Sequence, residues 1–212
     1  MSTAIDGTVS TAQTQPGLLA LSDDAQDLLF RSARTANSFT DDPVGDGQLR
    51  AIYELVRWAP TSMNCQPLRI LAVRGDTARC RVVRHMFGAN QLKTELAPLT
   101  LLLAADLCFD MHLPRLFPYL ADPKTMFDDD DTRRATAEFN ATLQAGYLIL
   151  GVRAAGLAAG PMAGFDRAGL DAEFFPDGRQ TTVLVLNVGK PAPDAWLERL
   201  PRLCFDEVVS TV

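Results

Sequence analysis

Pro98-Leu99-Thr100-Leu101-Leu102-Leu103-Ala104-Ala105 is the stretch that decides the architecture of this 212-residue chain. A proline leads into a short apolar run, the pattern of a strand covered on both faces. Upstream, Leu68 to Val73 is a second apolar strand; downstream, Thr181 to Val188 is a third, closed by Gly189. Helical signals fill the intervals. Ser22 followed by Asp23 and Asp24 supplies a capping hydroxyl and carboxylates for the positive end of a dipole. A helix is therefore expected from there, through Leu28 and Leu29, towards Ala36. Leu49, Ile52, Tyr53 and Val56 fall at i, i+3, i+4 and i+7, which places a second helix over about residues 46–58, stopped by Pro60.

Thr77 to Met86 reads as a third helix, and Thr132 to Ala159 as one long helix whose Ala, Leu and Gly content implies burial on most sides. Between them, residues 106–131 are rich in Pro, Phe and Asp and have the length of a lid or binding loop. Three buried strands with four or five helices, in no clean βαβα order, predict an α+β fold. The length suits one domain, residues 21–212, preceded by a polar arm, residues 1–20. That arm holds no Lys, no Arg and no apolar core, so it does not read as a signal peptide.

Charge and cysteine usage narrow the function. Lys and Arg number 20 against 26 Asp and Glu, a net −6, with no basic stripe, so no nucleic acid and no membrane is expected as a partner. The apolar stretch from Ala145 to Gly160 is broken by Arg153 and is too short to cross a bilayer. Cys65, Cys80, Cys108 and Cys204 are scattered, and His85 and His112 have no ligand spacing, so no metal and no disulfide framework is expected. Reduced thiols point to a cytoplasmic protein. Asp128 to Asp131 sit directly before the long helix and serve its N-terminus. Trp58 and Trp196 are read as packing residues, and Cys65 as a small buried hydrophobe.

Four segments carry chemistry. Arg31-Ser-Ala-Arg34-Thr35-Ala-Asn37 combines a guanidinium fork with hydrogen-bonding side chains, suited to a phosphate, although an arginine at a helix end more often only complements the dipole. Pro60-Thr61-Ser62-Met-Asn64-Cys65-Gln66-Pro67 brackets small polar side chains between prolines, which a simple turn also explains. Asn90 and Lys93 share one face of a helical turn. Gly160-Pro161-Met162-Ala163-Gly164-Phe165 exposes backbone N–H groups and lets a flat ring approach closely. Gly45-Asp-Gly47 follows a proline loop, not a strand, and lacks a third glycine, so it is not a dinucleotide fingerprint.

In order and spacing, Arg34, Pro60-Thr61-Ser62-x-Asn64, Asn90-x-x-Lys93, Gly160-Pro161-Met162-x-Gly164-Phe165 and Arg202 resemble the nitroreductase family. Leu113-Pro114, Leu116-Phe117-Pro118, Phe165-Asp166 and Arg199-Leu-Pro201-Arg202 are most similar to its malonic semialdehyde reductase (RutE-type) branch. The likeness runs from about residue 20 to the C-terminus. It implies a three-layer α-β-α sandwich with a central mixed sheet, in a domain-entwined homodimer that holds FMN between two subunits. By that resemblance Arg34, Thr35 and Asn37 reach the phosphate and ribityl end, and Arg202 closes on the phosphate. Pro60, Thr61, Ser62 and Asn64 arrive from the partner subunit. Asn90 and Lys93 meet the pyrimidine edge, while Pro161, Met162, Ala163 and Gly164 face the ring near N5.

The implied activity passes hydride from NADH or NADPH through flavin N5 to a small electrophile, for instance a semialdehyde. No side chain is assigned as acid or base, because the cofactor carries the chemistry. Arg69, Arg115 and Phe117 are the candidates to meet a short acceptor bearing a carboxylate. The chain departs from the pattern at Ala36, where the branch commonly has a histidine, and at Ala163, where the family often has an acid. Arg115 is also unexpected within its motif. An oxidase or dehydrogenase of a metabolite, and a non-catalytic flavin-binding protein, are the alternatives these departures leave open.

Overall fold

The computed structural model describes residues 18–212. Most of the expected N-terminal arm lies outside the described residues. The elements are α1 (Asp23–Gln26), α2 (Asp46–Val56), β1 (Leu68–Val73), α3 (Asp76–Val83), α4 (Asn90–Glu95), β2 (Leu99–Asp106), α5 (Leu113–Leu116), α6 (Asp130–Ala154), β3 (Ala158–Met162), α7 (Arg167–Phe174), β4 (Gln180–Gly189) and α8 (Phe205–Val208).

Strand β2 is buried along its whole length and lies inside the sheet, whose order is β1-β2-β4-β3. Because side chains alternate across a strand, β2 serves two cores. Leu99, Leu101 and Leu103, with Leu186 and Val188 of β4, pack against Ile52 of α2 and Leu148 and Val152 of α6. Leu102 and Ala104, with Val185, face the opposite way, onto Val82 of α3 and Leu170 of α7. Helices thus cover both faces, and the three-layer α+β arrangement follows from one apolar strand with two buried sides.

Three expectations are corrected. The sheet has four strands, and β1–β2, β2–β4 and β3–β4 are all antiparallel, so among the described residues it is not mixed. The long helix stops at Ala154, not Ala159, because Gly156 adopts φ +73°, the left-handed conformation that ends helices. Residues 158–162 then pair with β4 as an edge strand. Finally, the first helix does not reach Ala36. Ser22 caps α1 by accepting from Ala25 N, a five-residue π-helical turn follows over Asp27–Arg31, and the chain then leaves helical geometry. Tertiary hydrogen bonds win there: Ala36 N donates to Ala159 O and Asn37 N to Ala195 O, each at 3.0 Å.

The capping of α6 is as the sequence implies, with Asp129 accepting from Thr132 N. Segment 106–131 is built from short 3-10 turns around α5, anchored by buried Phe109, Leu113 and Phe127. Trp58 is not a packing residue: it is 80% exposed, with the Arg57 guanidinium 5.4 Å from its ring. Cys65 is fully buried, as expected, and none of the four cysteines is in a disulfide. No helix among the described residues is long and apolar enough to cross a membrane.

Candidate functional site

The first segment is held open by its neighbours. Residues 33–37 run between β3 and the C-terminal tail, fixed by the two bonds from Ala36 and Asn37. Two arginines then cross-link the tail to it: Arg34 Nη1 donates to Leu197 O (3.1 Å), and Arg199 Nη2 donates to Arg31 O (2.6 Å). A cavity of about 200 Å³ results, lined by Arg34, Thr35, Asn37, Glu198, Arg199 and Arg202 among others. Three guanidiniums against one carboxylate give it a positive balance, and guanidinium forks match phosphate oxygens. Arg202, far along the sequence, is thus brought beside Arg34, Thr35 and Asn37. The sequence alone gives Arg199 no role in this cavity; its spacing from Arg202 is the signal that points to it.

The Asn90–Lys93 and Gly160–Phe165 segments meet beside the end of β3. Asn90 Nδ2 donates to Gly164 O (3.2 Å), which also accepts from Phe87 N. Asn187 of β4 donates to Lys93 O (3.0 Å) and accepts from Thr100 Oγ1, so two sheet strands fix the backbone that presents the Lys93 side chain. The glycines are there for close approach. A Cβ on Gly160 would lie 2.7 Å from Ala36 O, and one on Gly164 would lie 2.8 Å from Asn90 Nδ2. Segments 33–37, 90–93 and 160–164 therefore share one edge of the sheet. Pro161 has no N–H to offer a further strand, and Ala163 is exposed.

Behind this edge, Glu173 accepts from Arg81 Nε (2.6 Å) and meets His85 Nε2 (2.6 Å). Its hydrogen bonds to Arg81 and then to His85 hold the carboxyl below the usual range. His85 O in turn accepts from Asp166 N, which fixes the chain as it leaves Gly164. The sequence reading assigned nothing to this cluster.

The Pro60–Pro67 segment lies elsewhere in the fold. Met63 (φ 50°), Asn64 (φ 53°) and Gln66 (φ 43°) all adopt left-handed backbone, which L side chains seldom do. Neighbours impose it. Ser62 N donates to Asn140 Oδ1 on α6 (2.8 Å), Asn64 Nδ2 donates to Leu116 O (2.9 Å), and Gln66 Nε2 donates to Asn64 Oδ1 (2.8 Å). Burial pushes the Cys65 thiol beneath them up to about 11, opposed by a hydrogen bond with Thr61. Among the described residues, no hydrogen bond joins Pro60–Asn64 to the Arg34 cavity or to the Gly160–Gly164 edge.

A second cavity, of about 330 Å³, opens beside this loop, with Tyr53, Gln66, Arg69, His112, Arg115 and Gln144 on its walls. Arg69 is not free to serve a ligand. It pairs with Asp106 (2.6 Å) and donates to Gln66 O and Leu68 O. Arg115 is exposed and has no hydrogen bond or ion pair among the described residues. Phe117 does not line the cavity; it packs on the Cys65–Phe109 cluster and edge-on to Tyr119.

The arrangement is an anion cavity flanking a glycine-relieved sheet edge, with a strained polar loop on a separate face. Against known proteins, the nitroreductase family profile matches residues 30–190. The chain belongs to the nitroreductase family. It is 53% identical over 195 residues to a Streptomyces griseus protein named NADH dehydrogenase/NAD(P)H nitroreductase, covering 92% of this chain and 99% of that protein. A Bacillus subtilis nitroreductase structure superposes with a TM-score of 0.79 at 22% identity, covering 87% of this chain and 97% of that one. An Exiguobacterium sibiricum nitroreductase solved with FMN does so at 0.78 and 18% identity, over 90% and 98% of the two chains. These two structures share the fold of this family member, and the family is one of oxidoreductases.

Proposed function

We propose that the chain is an FMN-dependent oxidoreductase that takes hydride from NADH or NADPH and delivers it to a small electrophilic acceptor. The observation that carries this is the three-arginine cavity opening beside the Gly160–Gly164 edge. The donor set fits the cofactor. Arg34, Arg199 and Arg202 offer forks to a phosphate, and Thr35 and Asn37, on the same wall, would reach a ribityl chain leaving it. Asn90 and Lys93 sit at the far end of the same edge, beside the exposed Ala163 and the Pro161–Gly164 turn.

FMN supplies the hydride relay at N5. This chain's residues bind its phosphate, orient its ring and keep one face dry. Pro60, Thr61, Ser62 and Asn64 act on the flavin of a second copy, which is why they stand apart within one chain. The homodimer completes two equivalent sites. A semialdehyde-like acceptor, as in the RutE-type branch, is supported by the unpaired Arg115 in the cavity beside that loop. The purified protein is expected to be yellow and to release FMN, not FAD, on denaturation. NADH or NADPH should bleach the bound chromophore without oxygen. A colourless protein that does not take up added FMN overturns the reading.

A further inference from the structure

Helices α3 and α7 are clamped together behind the Gly160–Gly164 edge, and the clamp ends on backbone that the reading above places against the flavin. Glu173, in the last turn of α7, accepts from Arg81 Nε on Oε1 (2.6 Å) and from His85 Nε2 on Oε2 (2.6 Å). The Arg81 guanidinium also lies 4.8 Å from the Phe174 ring. Side-chain exposures of 19% for His85 and 26% for Glu173 set the contact apart from a loose surface bridge. Asp166, the N-cap of α7, stands on the other side of the imidazole, with Oδ2 4.0 Å from Nδ1. Its Oδ1 accepts from Gly169 N. The ring is thus held between the two ends of one helix.

Gly169 makes room for it. A Cβ at that position would collide with His85 Nδ1 and with the Asp166 carboxylate. From the ring to the edge the path is backbone. His85 O accepts from Asp166 N (2.7 Å), and Phe87 N donates to Gly164 O (3.0 Å). Met86 pairs with Phe165 in an antiparallel bridge between them. Asn90 Nδ2 donates to the same Gly164 carbonyl, which leaves its second N–H and its Oδ1 for a ligand. The chain leaving His85 and the chain leaving Gly164 therefore run side by side, in a register set where His85 is fixed.

We propose that Glu173 and His85 are positioning residues for the flavin site: Glu173 fixes the His85 ring, and His85 fixes the register in which Asn90 and the Pro161–Gly164 turn meet FMN. This rests on the flavin reading above. Neither side chain touches the cofactor. What the pair sets is the aim of hydrogen-bond donors at the place where negative charge gathers on reduction. Donors held ready there bind the reduced form more tightly than the oxidised one. Loosening the clamp therefore weakens the hold on reduced FMN most.

The test titrates the apoprotein with FMN, followed by flavin fluorescence, and measures the midpoint potential of the refilled holoprotein. A wild type that takes up no FMN sinks the flavin reading and this inference with it. A wild type that binds FMN keeps that reading whatever the variants do. In Glu173→Ala, reduced FMN should lose about tenfold more affinity than oxidised FMN, roughly what one hydrogen bond contributes. That lowers the two-electron midpoint potential by about 30 mV. His85→Ala should give the same shift, and the double variant no more than either alone, because both act along one path. Gly169→Ala should reproduce the shift although alanine favours the helix, since its methyl displaces the ring. In the flavin-free protein, Glu173→Ala should speed hydrogen exchange at the Phe87 and Asp166 amides, which bond across the two segments. A lower melting temperature with an unchanged potential in all three single variants marks the clamp as structural only and overturns the proposal. So do shifts of Glu173→Ala and His85→Ala that add in the double variant.

Discussion

Arg69 of β1 and Asp106 at the end of β2 form a 2.6 Å ion pair whose carboxylate side chain is only 6% exposed. The pair ties the two strands together at the mouth of a cavity. Arg69 Nη1 also donates to two carbonyls of its own turn, those of Gln66 and Leu68. The residue is structural first, and its expected contact with an acceptor gives way to that role. Truncating it leaves a buried carboxylate without its cation. Arg69→Ala should therefore lose about 2–4 kcal/mol of stability, read as a lower urea midpoint at unchanged slope. A midpoint equal to the wild type would show that the pair contributes nothing net.

Arg34→Ala and Arg202→Ala should each weaken FMN retention without unfolding the chain. One charge-assisted hydrogen bond contributes ~1.5–3 kcal/mol, so each loss amounts to roughly ten- to hundredfold in affinity. Equal flavin occupancy of both variants and wild type after dialysis places the phosphate elsewhere.

The two edge glycines should respond differently. At Gly160 an added Cβ meets the Ala36 carbonyl at 2.7 Å, a backbone atom anchored in the sheet edge. At Gly164 the nearest atom is the movable end of the Asn90 side chain. Gly160→Ala is expected to cost ~1–3 kcal/mol by overpacking, with Gly164→Ala clearly milder in thermal melts. The reverse order would contradict the packing described.

Cys65 sets a pH limit on stability. Burial raises its thiol from an ordinary 9.0 to about 11, so the native chain keeps that proton over a range where the unfolded chain has lost it. Between about pH 9 and 11 the native state binds more protons, and stability must fall as pH rises through that window. The loss should reach roughly 2–3 kcal/mol, and Cys65→Ala should remove it. Urea melts of both proteins at pH 8.5 and 10.5 make the comparison; parallel losses would falsify the assignment.

Helix α6 exposes Phe139, Leu143 and Tyr147, four residues apart along one stripe. A stripe of this kind on the longest helix is expected to lie in the homodimer interface, of at least ~2,000 Å² if the dimer is obligate. Leu143→Arg should yield monomers in sedimentation and lose FMN at the same time. A flavin-loaded wild-type monomer at micromolar concentration would refute the dimer.

Much of this was readable from the residues alone. The apolar run from Leu99 is a strand because a segment buried on both faces needs apolar side chains throughout, and that demand is local. Ser22 and Asp129 mark helix starts because a cap acts on N–H groups two or three residues away. The order of Arg34, Pro60–Asn64, Asn90-x-x-Lys93 and Gly160–Gly164 was enough to point to the family.

What lay beyond the sequence depends on partners distant along the chain. Ala158–Met162 (Ala-Ala-Gly-Pro-Met) has no β-branched residue and no alternating pattern, so nothing local marks it as a strand. It becomes one because Gly156 breaks α6 and β4 offers a ladder, and its lack of side-chain bulk admits the Ala36 carbonyl. Residues 32–36 carry a helical continuation that loses to the bonds Ala36 N and Asn37 N donate to Ala159 O and Ala195 O. Arg69 looks like a free surface cation until Asp106, thirty-seven positions later, is placed beside it. Short-range capping and burial were fixed by neighbours in sequence. Strand order, ion-pair partners and the grouping of Arg34 with Arg202 were set only when the chain closed on itself, because those energies depend on distance in space.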